Sequence, residues 1–503
     1  MSIQPVNIVI LAAGRGTRMR SDQPKVLQTV AGKSMLAHVL DTARSLQPTK
    51  ICVVYGHGGE QVPNTVSASD VTWVYQAQQL GTGHAVQQAM SQLREEGVTL
   101  ILYGDVPLVS ADTLRRLIAL AQPRLDSSTQ PRLDSSTQPR LDSSAQPRLN
   151  NSAQPGLIAG AQPGLSAGMQ LGQLALLTVH LTDPAGYGRV VRNAQNEIAR
   201  IVEDRDADEH VRQISEVNTG MMVVPTRPLA QWLSRINADN QQSEYYLTDV
   251  IALAVADGIS IASMQPDQMQ EVLGINDRMQ QAEVERAMQQ RIAQQLMRQG
   301  VMLWDPARID VRGSLQCGRD VSIDVGCVFN GAVELGDRVV IGPYCVLTDV
   351  KVGRDTHIAA YSHVQGAQTG AHNRIGPFAR IRPGSVLADG AHIGNFVEIK
   401  NSSVGENSKI NHLSYVGDTE VGKHVNIGAG TITCNYDGAN KHRTVIGDHV
   451  FIGSGTELVA PVVVGDGATI GAGSTITKPA PPGELTLARA HQVTKFGWKR
   501  PVK

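Results

Sequence analysis

The sequence predicts an α/β half with a mostly parallel, Rossmann-like sheet, followed by a parallel β-helix, and three observations carry that prediction. Between Ile446 and Ile476 an aliphatic residue stands at every sixth position: Ile446, Ile452, Leu458, Val464, Ile470 and Ile476. Upstream, short continuous apolar runs such as residues 7–13 and 51–55 alternate with segments of helical character. Between the two halves Val284, Met288, Ile292 and Leu296 recur every fourth residue, the stripe of a single amphipathic helix.

A helix repeats its apolar face at three, four and seven, and a half-buried strand at two, so a strict six calls for a coil with flat faces and tight corners. The aliphatic residue points inward at each corner, and the small residue after it (Gly447, Gly453, Gly465, Gly471) is expected to let the chain turn. Upstream the pattern returns with breaks, through Ile341, Val352, Ile358, Val364, Ile375, Ile381, Leu387, Ile393, Ile399, Val404, Ile410 and Val416. Each rung of such a coil buries its face against its neighbours and cannot stand alone.

At 503 residues the chain exceeds one core and predicts two to four domains. Forty-five Lys and Arg against 46 Asp and Glu give a net charge of −1, which excludes nucleic acid or an anionic membrane as a bulk partner and makes any phosphate recognition local. The five cysteines, Cys52, Cys317, Cys327, Cys345 and Cys434, include no C-x-x-C pair, as expected for free thiols in a reducing compartment. The N-terminus lacks a basic segment followed by a cleavable apolar core, and residues 6–13 are too few to span a membrane, so a cytoplasmic protein without membrane insertion is expected.

In chain order, the first apolar run reads as a strand buried on both faces and leads into Gly14-Arg15-Gly16-Thr17-Arg18-Met19, with Pro24-Lys25 after it. This loop fits neither the Walker A pattern nor G-x-G-x-x-G. Its glycines let backbone N–H groups approach phosphates, and Arg15, Arg18 and Lys25 supply cations, although a glycine turn after a strand is as often structural. Residues 82–93 read as a helix and 99–103 as a strand ending in Gly104-Asp105. An acidic residue at that end of a buried strand sits where open α/β sheets bind ligands. Asp105 is thus a candidate Mg²⁺ ligand or a turn residue.

From residue 122 to 169 an octapeptide repeats six times, beginning QPRLDSST and ending QPGLSAGM. With proline every eight residues and no aromatics, it cannot bury enough apolar surface to offset its ordering entropy, and a disordered insert at a surface loop is expected. Residues 174–181 resume the strand pattern. Glu203 and Asn218 follow apolar segments, where they can bond a sugar or serve as a strand-edge carboxylate and a turn Asn. Asn276 is the N-cap of the next helix, a ligand, or both. That helix covers residues 277–299 with Gly300 as C-cap, and the coil begins in earnest near Val311.

With these motifs assembled, the chain resembles the bacterial bifunctional enzymes that combine N-acetylglucosamine-1-phosphate uridyltransferase with glucosamine-1-phosphate N-acetyltransferase. The segment Leu11-Ala12-Ala13-Gly14-Arg15-Gly16-Thr17-Arg18-Met19 with Pro24-Lys25 is similar to the sugar-nucleotide pyrophosphorylase signature. The resemblance implies a nucleotide role for Leu11, Ala12, Ala13, Gly14 and Lys25, uracil contacts at Gln76, Gly81 and Thr82, and a stretch Tyr103-Gly104-Asp105 ending in the first Mg²⁺ ligand. It implies sugar contacts at Gly188, Glu203 and Asn218 and the second metal ligand at Asn276. In the coil it implies a proton acceptor at His412, sugar-phosphate contacts at Arg382, Lys400, Tyr415 and Asn426, and acetyl-CoA contacts at Ala429, Asn435, Tyr436, Ser454, Ala472 and Arg489. A free imidazole, with a pKa of roughly 6.5, suits a base near neutral pH.

The resemblance further implies a uridyltransferase domain at 1–276, a linking helix at 277–300, an acetyltransferase domain at 301–503, a left-handed coil and a homotrimer. UTP, glucosamine 1-phosphate and acetyl-CoA are the implied substrates, and UDP-N-acetylglucosamine for cell-wall synthesis the product. Only the insert departs from the pattern. Two rivals stay open at this point: a single-activity pyrophosphorylase whose coil merely assembles subunits, and a non-catalytic scaffold.

Overall fold

The computed structural model describes residues 5–122 and 173–502. Its first half contains strands β1 (Val6–Ala12), β2 (Thr29–Val30), β3 (Lys33–Ser34), β4 (Lys50–Tyr55), β5 (Thr72–Tyr75), β6 (Val98–Tyr103), β7 (Leu174–His180), β8 (Arg189–Arg192), β9 (Ile198–Val202), β10 (Glu216–Pro225) and β11 (Ile261–Met264). The main sheet runs β11-β7-β10-β6-β1-β4-β5, with the β8–β9 hairpin attached through β10. β10 is antiparallel to both neighbours, and the other main-sheet pairs are parallel.

β1 is buried along its whole length because the sheet is covered on both faces. Ile8, Ile10 and Ala12 pack on one side with Leu36, Val39 and Leu100, while Val9 and Leu11 pack on the other with Val54, Val86 and Trp232. That two-sided burial is why the strand reads as an unbroken apolar run. The expected helix at 82–93 is shorter, Thr82–Ala89, and closes in a 3₁₀ turn, Met90–Gln92. A helix at Ala111–Ala121 ends just before Gln122, and the octapeptide tract beyond it lies outside the described residues.

The second half is a coil of short parallel strands. Inward residues lie directly over one another, Ile375 on Ile393, Ile393 on Ile410 and Ile410 on Ile427, so a turn takes 17 or 18 residues. These side chains form one continuous apolar core from Val301 to Ala480. Up to Val421 the breaks in the hexad share one cause. On one face the step shortens to five, from Leu347 to Val352, Val364 to Thr369, Ile399 to Val404 and Val416 to Val421, and each of these residues is still buried.

Two expectations are corrected here. The glycine after each inward residue is not the turning residue: the left-handed positions come two residues beyond that glycine, at His449, Gly455, Gly467 and Gly473. Gly453 is needed for a different reason, because a Cβ there would lie 2.5 Å from the backbone nitrogen of Ala472 on the next rung. The coil also starts earlier than Val311, since Met302–Leu303 already pairs in parallel with Ser322–Ile323.

The linking helix spans Arg278–Arg298. Its N-cap is Asp277, whose carboxylate accepts from the Gln280 N–H at 2.9 Å, so Asn276 stands outside the cap and its side chain is free for other work. Gln299 is the C-cap, and Gly300 follows with φ +95°. The stripe serves both halves. Val284 and Met288 pack with Met19, Val30 and Ile275, Ile292 packs against both cores, and Leu296, with Ala293 beside the stripe, enters the coil core. Gln289, buried, donates to the Val311 carbonyl and accepts from the Val311 N–H, both at 2.8 Å, tying helix to coil. Among the described residues no helix is long and apolar enough to cross a membrane.

Candidate active sites

At the carboxyl ends of the parallel strands, where the order reverses around β1, a cleft of about 690 Å³ opens. Leu11 and Ala12 at the end of β1 and Ala13, Gly14 and Arg15 in the loop after it line the cleft, joined by Lys25, Gln76, Gly81, Thr82, Tyr103 and Asp105. Gly104 backs this wall, its N–H bonded to the Leu11 carbonyl at 2.9 Å. Arg18 lies on the exposed 3₁₀ turn Thr17–Met19 and is not part of the lining.

Local chemistry explains the placement. Gly81 holds φ +112°, and a Cβ there would stand 2.6 Å from the Tyr245 carbonyl, so only glycine lets the loop at 244–248 dock. The Thr82 hydroxyl accepts from the Leu247 N–H at 3.1 Å and pins the same loop. Gln76 is buried, and its amide Nε2 lies 3.0 Å from His84 Nδ1 and donates to the Gly81 carbonyl at 3.3 Å. The Asp105 carboxylate is ion-paired with Lys25, whose Nζ also donates to Asn276 Oδ1 at 3.0 Å.

Gly188, Glu203 and Asn218 gather beside Tyr103. The Asn218 N–H donates to the Gly188 carbonyl at 2.8 Å, and a Cβ on Gly188 would lie 3.4 Å from both Glu203 oxygens. Burial pushes the Glu203 carboxyl above the usual range. The hydrogen bond from the Thr248 hydroxyl, at 2.9 Å, pulls back, and nearby Asp249, Asp206 and Asp204 add to the rise. Burial and the negative charges of Glu203 and Asp105 likewise raise the Tyr103 phenol, keeping it protonated.

In the coil, register assembles a second site. Asn395 pairs with His412 on the next rung, and counting on from Ile410 over Ile427, Ile452 and Ile470 stacks His412 under Ala429, Ser454 and Ala472. Rungs repeat at about 4.8 Å, so this column extends about 14 Å from the imidazole. Arg489 closes its far end by donating to the Ala472 carbonyl at 2.6 Å. The neighbouring corner changes character at the same height. Below it carries Tyr344, Tyr361, Phe378 and Phe396, rings stacked 5.1–5.3 Å apart, and then Leu413; above stand Gly430, Gly455 and Gly473. The result is an open track of Ala, Ser and Gly leading away from His412.

Asn395 Oδ1 lies 3.0 Å from His412 Nδ1 and can only accept, so the ring carries its hydrogen on Nδ1 and presents Nε2 unprotonated when neutral. Across the corner, Arg382 donates to Glu398 at 2.8 Å, and Lys400 sits 3.8 Å from Asp418. Burial pushes the Asp418 carboxyl up, but hydrogen bonds from Asn401 and Asn435 and the charge of Lys400 outweigh it and hold the group below its usual range. Tyr415 shares that face, paired with Glu398, whereas Asn426 lies on the His412 face. Asn435 and Tyr436 sit in an excursion that lengthens the turn from Ile427 to Ile452 to 25 residues. One chain therefore brings His412 together with Ala429, Ser454, Ala472 and Arg489, and separates them by a corner from Arg382, Lys400, Tyr415, Asn435 and Tyr436.

Residues 8–141 match the MobA-like NTP transferase domain, and residues 443–478 match the bacterial transferase hexapeptide of six repeats. Over 99% of its length the chain is 52% identical to the bifunctional protein GlmU of Herminiimonas arsenicoxydans, covering 99% of that protein. It is 53% identical, again over 99% of its length, to the namesakes from Azoarcus sp. and Ralstonia nicotianae, of which it covers 100% and 99%. The chain belongs to the bifunctional GlmU family.

This GlmU-family chain is a bifunctional enzyme, a uridyltransferase and an acetyltransferase in one polypeptide acting on small molecules. Several residues at its sites escaped the sequence reading. Asn395 was findable, because it precedes His412 by 17 residues, one turn of the coil. Glu398 precedes Tyr415 by the same 17. Thr248, His84, Gln79 and Glu244 had no such signal: Gln79 and Glu244 line the cleft from loops, His84 meets Gln76 from the helix Thr82–Ala89, and Thr248 reaches Glu203.

Proposed function

We propose that the coil acetylates glucosamine 1-phosphate with acetyl-CoA, and that the α/β half then transfers uridylyl from UTP to N-acetylglucosamine 1-phosphate, releasing pyrophosphate. The division we assign is 1–276 for the uridyltransferase, 277–300 for the link and 301–503 for the acetyltransferase. The observation that carries the reading is the corner column, in which an oriented imidazole stands at the end of a track of small residues.

In this reading His412 Nε2 takes a proton from the substrate amine as the amine attacks the thioester, and Asn395 holds the ring in the tautomer that leaves Nε2 free. Arg382 and Lys400 hold the phosphate, the first as a fork and the second as a point charge, with Tyr415 and Asn426 on the sugar. Ala429, Ser454, Ala472 and Arg489 take acetyl-CoA along the track, and Asn435 and Tyr436 complete its grip. The corner that separates these groups within one chain supports a homotrimer whose sites form between copies. The exposed ridge of Tyr344, Tyr361, Phe378 and Phe396 offers apolar surface for it.

In the α/β half, Leu11 to Gly14, Lys25 and Arg15 cradle the triphosphate, while Gln76, Gly81 and Thr82 read the base and Gly188, Glu203 and Asn218 the sugar. Asp105 and Asn276 fit Mg²⁺, because their oxygens converge on one cation, the Lys25 ammonium. Among the described residues no cluster of three or more His, Cys, Asp or Glu forms an all-protein cage, which suits an ion held largely by substrate phosphates. When bound, Mg²⁺ supplies charge neutralisation on the phosphates. A cytoplasmic location is part of the same proposal.

The deciding experiment gives one purified sample glucosamine 1-phosphate, acetyl-CoA, UTP and Mg²⁺ and follows CoA thiol and pyrophosphate separately. Both products form, thiol first. Pyrophosphate absent even with N-acetylglucosamine 1-phosphate supplied would overturn the α/β assignment.

A further inference from the structure

We propose that Lys25 is a resident cation: its ammonium holds the metal position of the uridyltransferase cleft while the cleft is empty and turns to the nucleotide phosphates when the metal arrives. This rests on the reading of Asp105 and Asn276 as the metal ligands.

The geometry is that of an occupied cation site. Lys25 Nζ is ion-paired with Asp105 Oδ2 and lies 3.0 Å from Asn276 Oδ1. Two side chains 171 positions apart in sequence, Asp105 and Asn276, give their oxygens to this one charge. The pair is sheltered, with the two side chains 12% and 18% exposed. Lys25 roots in the 3₁₀ turn Lys25–Leu27, and its stem lies against Gly16 of the glycine loop, where a Cβ would come within 2.6 Å of Lys25 Cβ. From that root a flexible four-carbon stem can carry the ammonium between Asp105 and the loop with no backbone movement. Arg15 and the backbone of Gly14 line the same cleft, so a polyphosphate there would sit beside the freed ammonium.

An ammonium and a divalent cation repel strongly at such separations in a partly desolvated cleft, so Asp105 serves one or the other. Metal alone must evict Lys25 and gains one carboxylate. Metal with a triphosphate gives Lys25 new anionic partners, and the two bind with positive coupling.

The test uses the full chain without nucleotide and Mn²⁺ as the probe, followed by electron paramagnetic resonance. Lys25→Met is expected to bind Mn²⁺ at least roughly tenfold more tightly than wild type, since a competing charge has gone. Adding Asp105→Asn to that variant should remove the binding. If Asp105→Asn leaves it untouched, the metal-ligand reading itself has failed. If Asp105→Asn removes binding but Lys25→Met binds no more tightly than wild type, the metal reading stands and the exchange is overturned. A second measurement uses only wild-type protein: labelling of the Lys25 amine by an acylating reagent, read by peptide mass. Saturating Mn²⁺ should raise that labelling severalfold, and unchanged labelling overturns the proposal.

Discussion

His412 and Asn395 face each other across one rung, with Nδ1 and Oδ1 3.0 Å apart. An amide oxygen in that position fixes which imidazole nitrogen carries hydrogen and aims the other outward. Replacing His412 by Ala is expected to cut acetyl transfer by roughly 100-fold or more, and Asn395→Ala by roughly tenfold, because a disordered base still acts part of the time. CoA thiol release measures both. Pyrophosphate release should not change, and near wild-type thiol release from His412→Ala would remove His412 from the mechanism.

Asp105→Ala should abolish pyrophosphate release from UTP while leaving thiol release intact, since the carboxylate serves only the α/β cleft. A parallel loss of both products would show that the halves do not act independently.

The track beside His412 depends on side chains no larger than Ser at Ala429, Ser454 and Ala472. Ser454→Phe places a ring in the middle of it. The expected outcome is a KM for acetyl-CoA raised by roughly tenfold or more with the KM for glucosamine 1-phosphate little changed, consistent with lost ground-state binding.

Glu203 supplies a dependence on pH. Its carboxyl is raised by burial, so the folded state holds a proton that the unfolded state has already released, and stability falls as pH climbs from the ordinary glutamate range through the raised value. Glu203→Gln, which keeps an acceptor for the Thr248 hydroxyl, should therefore unfold at a higher temperature than wild type above that window, with the difference vanishing below it. Thermal unfolding from about pH 4 to about pH 8 checks the sign. In the same variant pyrophosphate release should fall, because the proposed sugar contact loses its charge.

Much of this was legible in the sequence because the coil writes its geometry in a fixed period. The inward column followed from spacing, and its irregular steps proved to be one-residue shortenings on one face, with Leu347 and Thr369 filling the gaps, plus one insertion between Thr433 and Ile446. The two-sided burial of β1 was equally plain in residues 7–13. What spacing could not supply was partnership across distance. Thr248 reaches Glu203 over 45 positions, and Lys25 reaches Asn276 over 251. Spacing also left open which residue caps the linking helix, for a local reason: Asn276 and Asp277 stand side by side, both types cap well, and only the geometry picks Asp277. Motif resemblance supplied the α/β site instead.

The helix Arg278–Arg298, shared by both cores, acts as a strut of about 31 Å, at 1.5 Å per residue over its 21 residues. Asn276 stands at one end of it. His412 lies six rungs above the coil's first strand, about 29 Å at the usual strand spacing. With the two sites on different halves of the chain, a sugar phosphate leaving the first reaction is expected to pass through bulk solvent before the second and to mix there with any supplied from outside. Labelled intermediate made by the coil and unlabelled intermediate in the buffer should reach the product in proportion to their bulk concentrations.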